Sequence, residues 1–377
     1  MLSKDELIRY NRQIILPDFG TESQEKLKAA SVLVIGAGGL GAPNLLYLAA
    51  AGVGRIGIID FDEVSMSNLH RQVLFTEGNV GKNKAELAKE RLSELNPEVA
   101  FEVFTEPITS ANAIELIGNY DLVVDGSDNL PTRYLVNDAC YFLKKPLVYG
   151  AIFRFEGQVS VFNLPADNGE RTPNYRDLFP SPPPPDMVPS CSEGGVLGVL
   201  PGIIGSMQAN EAIKIITGVG ESLAGKLFLY DALDVSTRTL NVQANADNPL
   251  SGDNPSLTEL IDYEAFCSGV MERVHHEITV KELREQMQSG SVHVLDVRED
   301  YEYDIANIGG QLIPLNQVID RKEEIPNDRQ VVVMCKAGGR SQKAIDMLKK
   351  EGFDNLINLK GGILAWQKEI DSSLATY

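Results

Sequence analysis

The chain has 377 residues, 43% of them hydrophobic, and a formal net charge of −19. That length predicts two or three domains, and the acidity argues against nucleic acid or an anionic membrane as a partner. Four cysteines, Cys140, Cys191, Cys267 and Cys335, are too few and too scattered for a disulfide framework or a paired-cysteine zinc site.

The N-terminus is polar and lacks an apolar signal core, so a reducing cytoplasm is the expected compartment. Residues 31–36 (SVLVIG) read as a buried parallel strand. The glycine loop Gly36-Ala37-Gly38-Gly39-Leu40-Gly41 follows, then a helix to about Ala51. Residues 55–60 (RIGIID) are a second strand, 84–95 have helical periodicity, and 101–104, 120–125 and 146–149 are further short strands. Strands alternating with helices predict a doubly wound α/β sheet of Rossmann type. Residues 158–163 alternate like an antiparallel strand, which makes the sheet mixed.

Residues 168–192 read as a long loop with a proline run, and so long an irregular stretch is usually functional or mobile. The apolar region 194–216 is interrupted by Gln208, Asn210, Glu211 and Lys214 and makes a poor membrane span. Residues 246–271 are expected to be a linker between a first domain, 1–245, and a second, 272–377, with 257–266 as one helix of it. The second domain restarts an α/β pattern. It has a helix over 280–287, strands over 292–297, 331–335 and 356–359, and a helix over 341–351.

Gly36, Gly38, Gly39 and Gly41 follow a strand and open a helix, the context a phosphate cradle needs. Asp60 ends the next strand, where a carboxylate can accept hydrogen bonds from a ribose. Arg71, in Ser67-Asn68-Leu69-His70-Arg71-Gln72, is either a phosphate clamp or one arginine of a surface loop. Lys84 could reach a triphosphate or stay solvated. Asp128-Asn129 lies just past a buried strand, and Asp128 is a plausible Mg²⁺ ligand.

With Arg9-Tyr10-Asn11-Arg12-Gln13, Asp60-Phe61-Asp62 and Glu156-Gly157-Gln158, these motifs resemble the bacterial enzymes that adenylate ubiquitin-like sulfur carriers. Those are the molybdopterin-synthase adenylyltransferase and its thiamine-pathway relative (MoeB/ThiF-like). The resemblance covers 1–245. It implies ATP contacts from Gly39, Asp60, Asn68, Arg71, Lys84 and Asp128, within a site that also takes in Asp62, Ser67, Gln72 and Asn129. It implies a homodimer in which Arg12 reaches the phosphates of the other subunit. The implied reaction is attack of the carrier's terminal glycine carboxylate on the α-phosphate of ATP.

Relatives carry zinc on two Cys-x-x-Cys pairs. Here those positions fall in Asn174-Tyr175-Arg176-Asp177 and within 248–254, without a cysteine. Structural zinc is therefore expected to be absent, and the proline-rich loop less anchored. Cys191 matches the family's crossover-loop cysteine, which bonds covalently to the carrier in some relatives and is dispensable in others. Cys140 reads as a buried helix residue and Cys267 as incidental.

Cys335 follows the apolar run 331–334 and opens Cys335-Lys336-Ala337-Gly338-Gly339-Arg340-Ser341. Loop N–H groups and a helix N-terminus aimed at the sulfur would favour a thiolate or persulfide, with Lys336 and Arg340 adding positive potential. Together with Leu295-Asp296-Val297-Arg298-Glu299 and Gly361-Gly362-Ile363-Leu364-Ala365-Trp366, this resembles a single rhodanese domain over 272–377. The loop from Cys335 to Arg340 has the six residues of the family's sulfurtransferases, and related phosphatases use one more. Trp366 reads as packing.

The two resemblances together imply an enzyme that needs ATP and Mg²⁺. It would adenylate a small ubiquitin-fold sulfur carrier ending in Gly-Gly, then transfer sulfur from a Cys335 persulfide charged by a donor such as a cysteine desulfurase. Carriers of the molybdopterin, thiamine, cysteine and tRNA-thiolation pathways present similar tails. The alternative is adenylation alone, with the rhodanese part in another sulfur relay or binding role. A nicotinamide-dependent oxidoreductase would account for the glycine loop but not for Arg12, Arg71, Lys84 and Asp128 together. A non-catalytic carrier-binding scaffold is the third reading.

Overall fold

The structure, a computed structural model, describes residues 1–165, 171–182, 195–268, 277–290 and 292–375. The chain divides into two compact units, residues 1–271 and 272–377.

Unit 1 is built on a mixed eight-stranded sheet. Its strands are β1 (Ser31–Ile35), β2 (Arg55–Ile59), β3 (Ala100–Phe104), β4 (Leu122–Asp125), β5 (Leu147–Phe153), β6 (Glu156–Phe162), β7 (Lys226–Asp231) and β8 (Ser236–Asn241). The order is β3-β2-β1-β4-β5-β6-β7-β8. Strands β1 to β5 pair in parallel and β5 to β8 antiparallel. All five residues of β1 are buried. Alternate side chains serve opposite faces, as pleating requires. Val32 and Val34 join Leu45, Leu48, Leu92 and Ala209 in one core, while Leu33 and Ile35 join Ile117, Tyr134 and Val136 in the other.

Three findings differ from the sequence reading. Strands β7 and β8 were not foreseen. β8 is exposed at every position and is held by its ladder to β7 rather than by burial. The stretch read as linker is packed on unit 1 through residue 268. Asn248, Leu250, Tyr263 and Cys267 are buried, and its helix spans only Tyr263–Ser268. Three short N-terminal helices, Lys4–Arg9, Asn11–Ile14 and Gly20–Ala29, precede β1.

Unit 2 has five parallel strands in the order β11-β10-β12-β13-β9. They are β9 (Glu277–Ile278), β10 (His293–Asp296), β11 (Gln311–Leu312), β12 (Val331–Met334) and β13 (Leu356–Leu359). β12 is central and fully buried. Its Val331 and Val333 face one core and Val332 and Met334 the other, beside Trp366. Among the described residues no helix is long and apolar enough to cross a membrane.

Candidate functional site

In unit 1 a cavity opens at the carboxyl ends of β1, β2 and β4, where the order of parallel strands reverses and α/β sheets take ligands. Its empty space, with the open solvent at its mouth included, is about 980 Å³. Gly36 turns the chain out of β1 with φ 87°. A Cβ on Gly41 would lie 1.9 Å from the Gly36 carbonyl oxygen, so the helix Gly41–Ala51 can start there only as glycine. The Asp60 carboxylate braces this turn, accepting the Ala37 N–H at 2.7 Å and the Asp62 N–H at 2.9 Å. Burial raises the Asp60 carboxyl above the usual range, against the pull of those N–H groups and of Lys84.

Lys84 opens the helix Lys84–Leu95 and is buried. Its Nζ sits 2.8 Å from Asp62 Oδ2. Arg71 Nη1 donates to the Ser67 carbonyl at 3.0 Å and lies 2.7 Å from His70 Nε2. The cavity gathers Gly36, Gly38, Gly39, Asp60, Asp62, Arg71, Gln72, Lys84, Asp128 and Asn129. Gln72 Oε1 is buried without a hydrogen-bond partner, an acceptor left for a ligand. Asn129 also caps the helix Leu130–Phe142 through the Thr132 N–H.

Gly41, Ser67, Asn68 and Arg12 do not line the cavity. Gly41 serves helix packing. Asn68 accepts the Ser65 N–H at 3.2 Å in a capping box, and Ser67 bonds Ser65. Arg12 is exposed, because its neighbours pin the segment the other way. The Tyr10 hydroxyl accepts from Asn96 at 2.8 Å, and Gln13 donates to the Ala51 carbonyl at 2.9 Å. Sequence reading missed Arg133, which lines the cavity from the helix after Asp128-Asn129 and lies over the Tyr149 ring. Its one signal was its position, one turn after the Asn129 cap.

The donor set fits a nucleotide triphosphate with a hard divalent ion. Asp128, exposed in the cavity, is a carboxylate of the kind Mg²⁺ takes alongside phosphate oxygens, and Arg71 and Lys84 supply positive charge. The zinc positions do not fit zinc. Asn248 Nδ2 donates to Asp177 Oδ1 at 2.8 Å and to Asn174 Oδ1 at 3.2 Å, and Asn174 Nδ2 donates to Ser251 Oγ at 3.0 Å. These groups are spent on one another, and none is a thiolate.

The expectation of a poorly anchored loop is corrected at its described start. Arg176 lies fully buried in a bidentate pair with Asp138, 2.7 and 2.8 Å, and its Nη1 donates to the Pro180 carbonyl at 3.2 Å. Tyr263 donates to the same Asp138 at 2.8 Å. Cys191 lies outside the described residues. Burial pushes the Cys140 thiol up, and the Cys267 thiol up to about 12. Both belong to the core rather than to thiol chemistry.

In unit 2 Cys335 follows β12, is buried, and its Sγ accepts the Gly338 N–H at 3.1 Å, with Ser341 Oγ at 3.4 Å. The loop carbonyls are drawn to the other side. Ile363 N–H donates to the Cys335 carbonyl at 2.9 Å and Leu364 N–H to that of Lys336 at 3.2 Å. Gly362 permits this, since its Cβ would come 2.4 Å from the Cys335 carbonyl oxygen. The following helix starts at Gly339, two residues earlier than the sequence suggests. Arg340 is a correction. Its guanidinium is turned to the buried Glu302, at 2.5 and 2.7 Å, so its charge is largely neutralised there instead of facing the sulfur. Trp366 packs in the core.

The comparisons agree with this division of labour. The ThiF family model matches residues 10–251, and the rhodanese-like domain model matches 279–369. The chain is 47% identical to the probable adenylyltransferase/sulfurtransferase MoeZ of Mycobacterium tuberculosis, over 100% of this chain and 96% of that one. It is 58% identical to the sulfur carrier protein adenylyltransferase of Thermus thermophilus, over 70% of this chain and 98% of the relative. The crystal structure of PaaA superposes with a TM-score of 0.54 at 27% identity, over 64% of this chain and 75% of that one. This chain belongs to the ThiF family and continues into a rhodanese-like domain.

Proposed function

We propose that the protein adenylates the C-terminal glycine of a small ubiquitin-fold sulfur carrier and then replaces the adenylate with sulfur delivered from Cys335. A carboxylate is a poor acyl donor and an acyl-adenylate a good one, so the first step needs positioning and charge neutralisation. The glycine loop and helix N-terminus would cradle the phosphates. Arg71 and Lys84 would neutralise charge, Asp128 would hold Mg²⁺, and Asp60 would reach the ribose. The carrier carboxylate attacks the α-phosphorus and pyrophosphate leaves. The terminal sulfur of a Cys335 persulfide then attacks the acyl carbon and AMP leaves. A second thiol, Cys191 or a reductant's, cleaves the resulting acyl disulfide at the Cys335 sulfur. That step releases the thiocarboxylate and leaves Cys335 in a disulfide.

The observation that carries this reading is one chain with two such sites. One is a cavity at a glycine turn that gathers Arg71, Lys84 and Asp128. The other is a cysteine whose sulfur receives a loop N–H. A homodimer with Arg12 acting across it is supported by the exposure of Arg12 beside the exposed apolar Ile8, Ile15 and Leu16. Cys335 would be charged by a cysteine desulfurase. Structural zinc is absent in this reading, because Asn174, Asp177, Asn248 and Ser251 satisfy one another. A reducing cytoplasm suits a persulfide carrier.

The test is mass spectrometry of the carrier after incubation with ATP, Mg²⁺ and a sulfur donor. Exchange of oxygen for sulfur adds ~16 Da, and Cys335→Ser should abolish it while pyrophosphate exchange continues. Exchange without any mass gain would leave adenylation alone.

A further inference from the structure

Cys335 is held by more than its own loop. Asn358 lies on β13, the strand next to β12, and its side chain is buried. Its Nδ2 donates to the Gly338 carbonyl at 3.2 Å, and its Oδ1 lies 2.7 Å from Ser341 Oγ. The amide can sit only this way round, because a carbonyl oxygen accepts and cannot donate. Gly338 and Ser341 each place a polar atom on the Cys335 sulfur. One carboxamide therefore grips both of them from outside the loop.

We propose that Asn358 is a positioning residue for sulfur transfer, fixing the Gly338 peptide and the Ser341 hydroxyl so that both address the Cys335 sulfur. Gly338 sits at φ 108°, and its carbonyl also accepts the Gln342 N–H at 3.1 Å, so Asn358 adds a tether from the neighbouring strand to a carbonyl the helix already holds from one side. Tethering its carbonyl to β13 holds the residue in the orientation that points its N–H at Sγ. The Ser341 hydroxyl has a single proton and three neighbours: Asn358 Oδ1, the Gly338 carbonyl at 3.0 Å and Sγ at 3.4 Å. Against a protonated thiol the proton can rest on Asn358, leaving an oxygen lone pair toward the S–H. Against an anionic sulfur the hydroxyl can rotate its proton to Sγ. Asn358 keeps the oxygen in place for both states, and hydrogen bonds to an ionised partner are the stronger kind.

The inference rests on the sulfur-transfer reading of Cys335, so the assay reads both. The full chain is given thiosulfate and cyanide. Cys335 attacks the outer sulfur of thiosulfate and sulfite leaves with the bonding pair. Cyanide then takes the terminal sulfur as thiocyanate and the thiolate is restored. Asn358→Leu should lower kcat about 10- to 100-fold with KM for thiosulfate within about twofold, because loosened donors act on charge at sulfur. Ser341→Ala should lose less, and the double variant should lose no more than Asn358→Leu alone, since the serine acts through the same grip. Pyrophosphate exchange should stay at the wild-type rate in every variant.

If Asn358→Leu does not fold by Trp366 fluorescence, Asn358→Asp decides. It keeps the shape and the acceptor for Ser341 but sets a carboxylate oxygen against the Gly338 carbonyl, and kcat should again fall at least about 10-fold. Folded variants with wild-type kcat, or losses that multiply in the double variant, overturn the inference alone. A wild type that never forms thiocyanate overturns the sulfur-transfer reading and this inference with it.

Discussion

Replacing Glu302 by glutamine isolates one charge without disturbing its shape. The Glu302 carboxylate accepts both Arg340 nitrogens and the Glu299 N–H at 3.1 Å, and these interactions push its pKa down to about 2 from 4.5. The Arg340 hydrogen bonds are the largest cause, opposed by burial. A shift of that size corresponds to about 3 kcal/mol of stability, and screening at Arg340, whose side chain is 35% exposed, trims it to about 2–3 kcal/mol. The folded pKa is the lower one, so the contribution is complete above pH 4.5 and disappears as pH falls through 2. At pH 3 the unfolded carboxyl is already protonated and the folded one is mostly not, leaving about 1 kcal/mol.

The chain's single tryptophan, Trp366, is buried in the core of unit 2, so its fluorescence in urea reports the unfolding of that unit. Wild type should exceed Glu302→Gln by about 2–3 kcal/mol at pH 7 and by about 1 kcal/mol at pH 3. A gap below about 0.5 kcal/mol at pH 7, or one of equal size at both pH values, would refute the charge argument.

Gly41→Ala drives a Cβ onto the Gly36 carbonyl and should cost about 1–3 kcal/mol in calorimetry, with pyrophosphate exchange lost. Asp138→Ala strands the fully buried Arg176 charge and should cost about 3–5 kcal/mol, seen as a lower calorimetric midpoint for unit 1. An inactive Arg12→Ala protein mixed and reassembled with inactive Asp128→Ala should regain about a quarter of wild-type pyrophosphate exchange. Half the dimers would then hold one complete site; no recovery would place Arg12 in its own subunit's site or outside the chemistry. EDTA dialysis should leave both the unit 1 midpoint and exchange assayed with fresh Mg²⁺ unchanged, whereas a lowered midpoint would show a structural metal.

The parallel core was legible because its strands are buried on both faces and carry apolar runs: VLVI, IGII, LVV and VVVM. The cavity was legible because its residues cluster at strand ends, where motif and geometry coincide. β8 was not legible, since STRTLN at an exposed sheet edge carries no burial pattern for a sequence to display. The N-terminal helices were missed for a related reason. They are four to ten residues long, and much of what holds them is long-range polar contact, such as Gln13 and Gln24 to the Ala51 carbonyl, which leaves no apolar period in the sequence. Arg340 was misread because loop position suggests which residues are near the sulfur but not which way a long side chain turns. Its partner, Glu302, is 38 residues away. Asn358 was invisible for the same reason of distance, with only strand pairing bringing it beside the loop.

The zinc positions show why loss of ligands need not loosen a fold. Four thiolates tie two segments together by binding a common ion, and losing them leaves no attraction between the strands of chain. Here the same two segments are joined by carboxamide, carboxylate and hydroxyl groups that bond each other directly, and the Asn245 N–H adds a further bond to Asp177. Each such bond is worth about 1 kcal/mol net, far below a metal site, so the polar set alone is a weak substitute. The deficit is covered next door. Asp138 binds Arg176 and Tyr263 at once, and the Arg176 guanidinium lies against the rings of both Tyr134 and Phe266, at 4.7 and 4.8 Å from their centroids. One buried carboxylate thus holds the segment before the proline-rich stretch and the helix Tyr263–Ser268 against the same side of the sheet. That location should make the Asp138 pair a point where this half of unit 1 is sensitive to substitution.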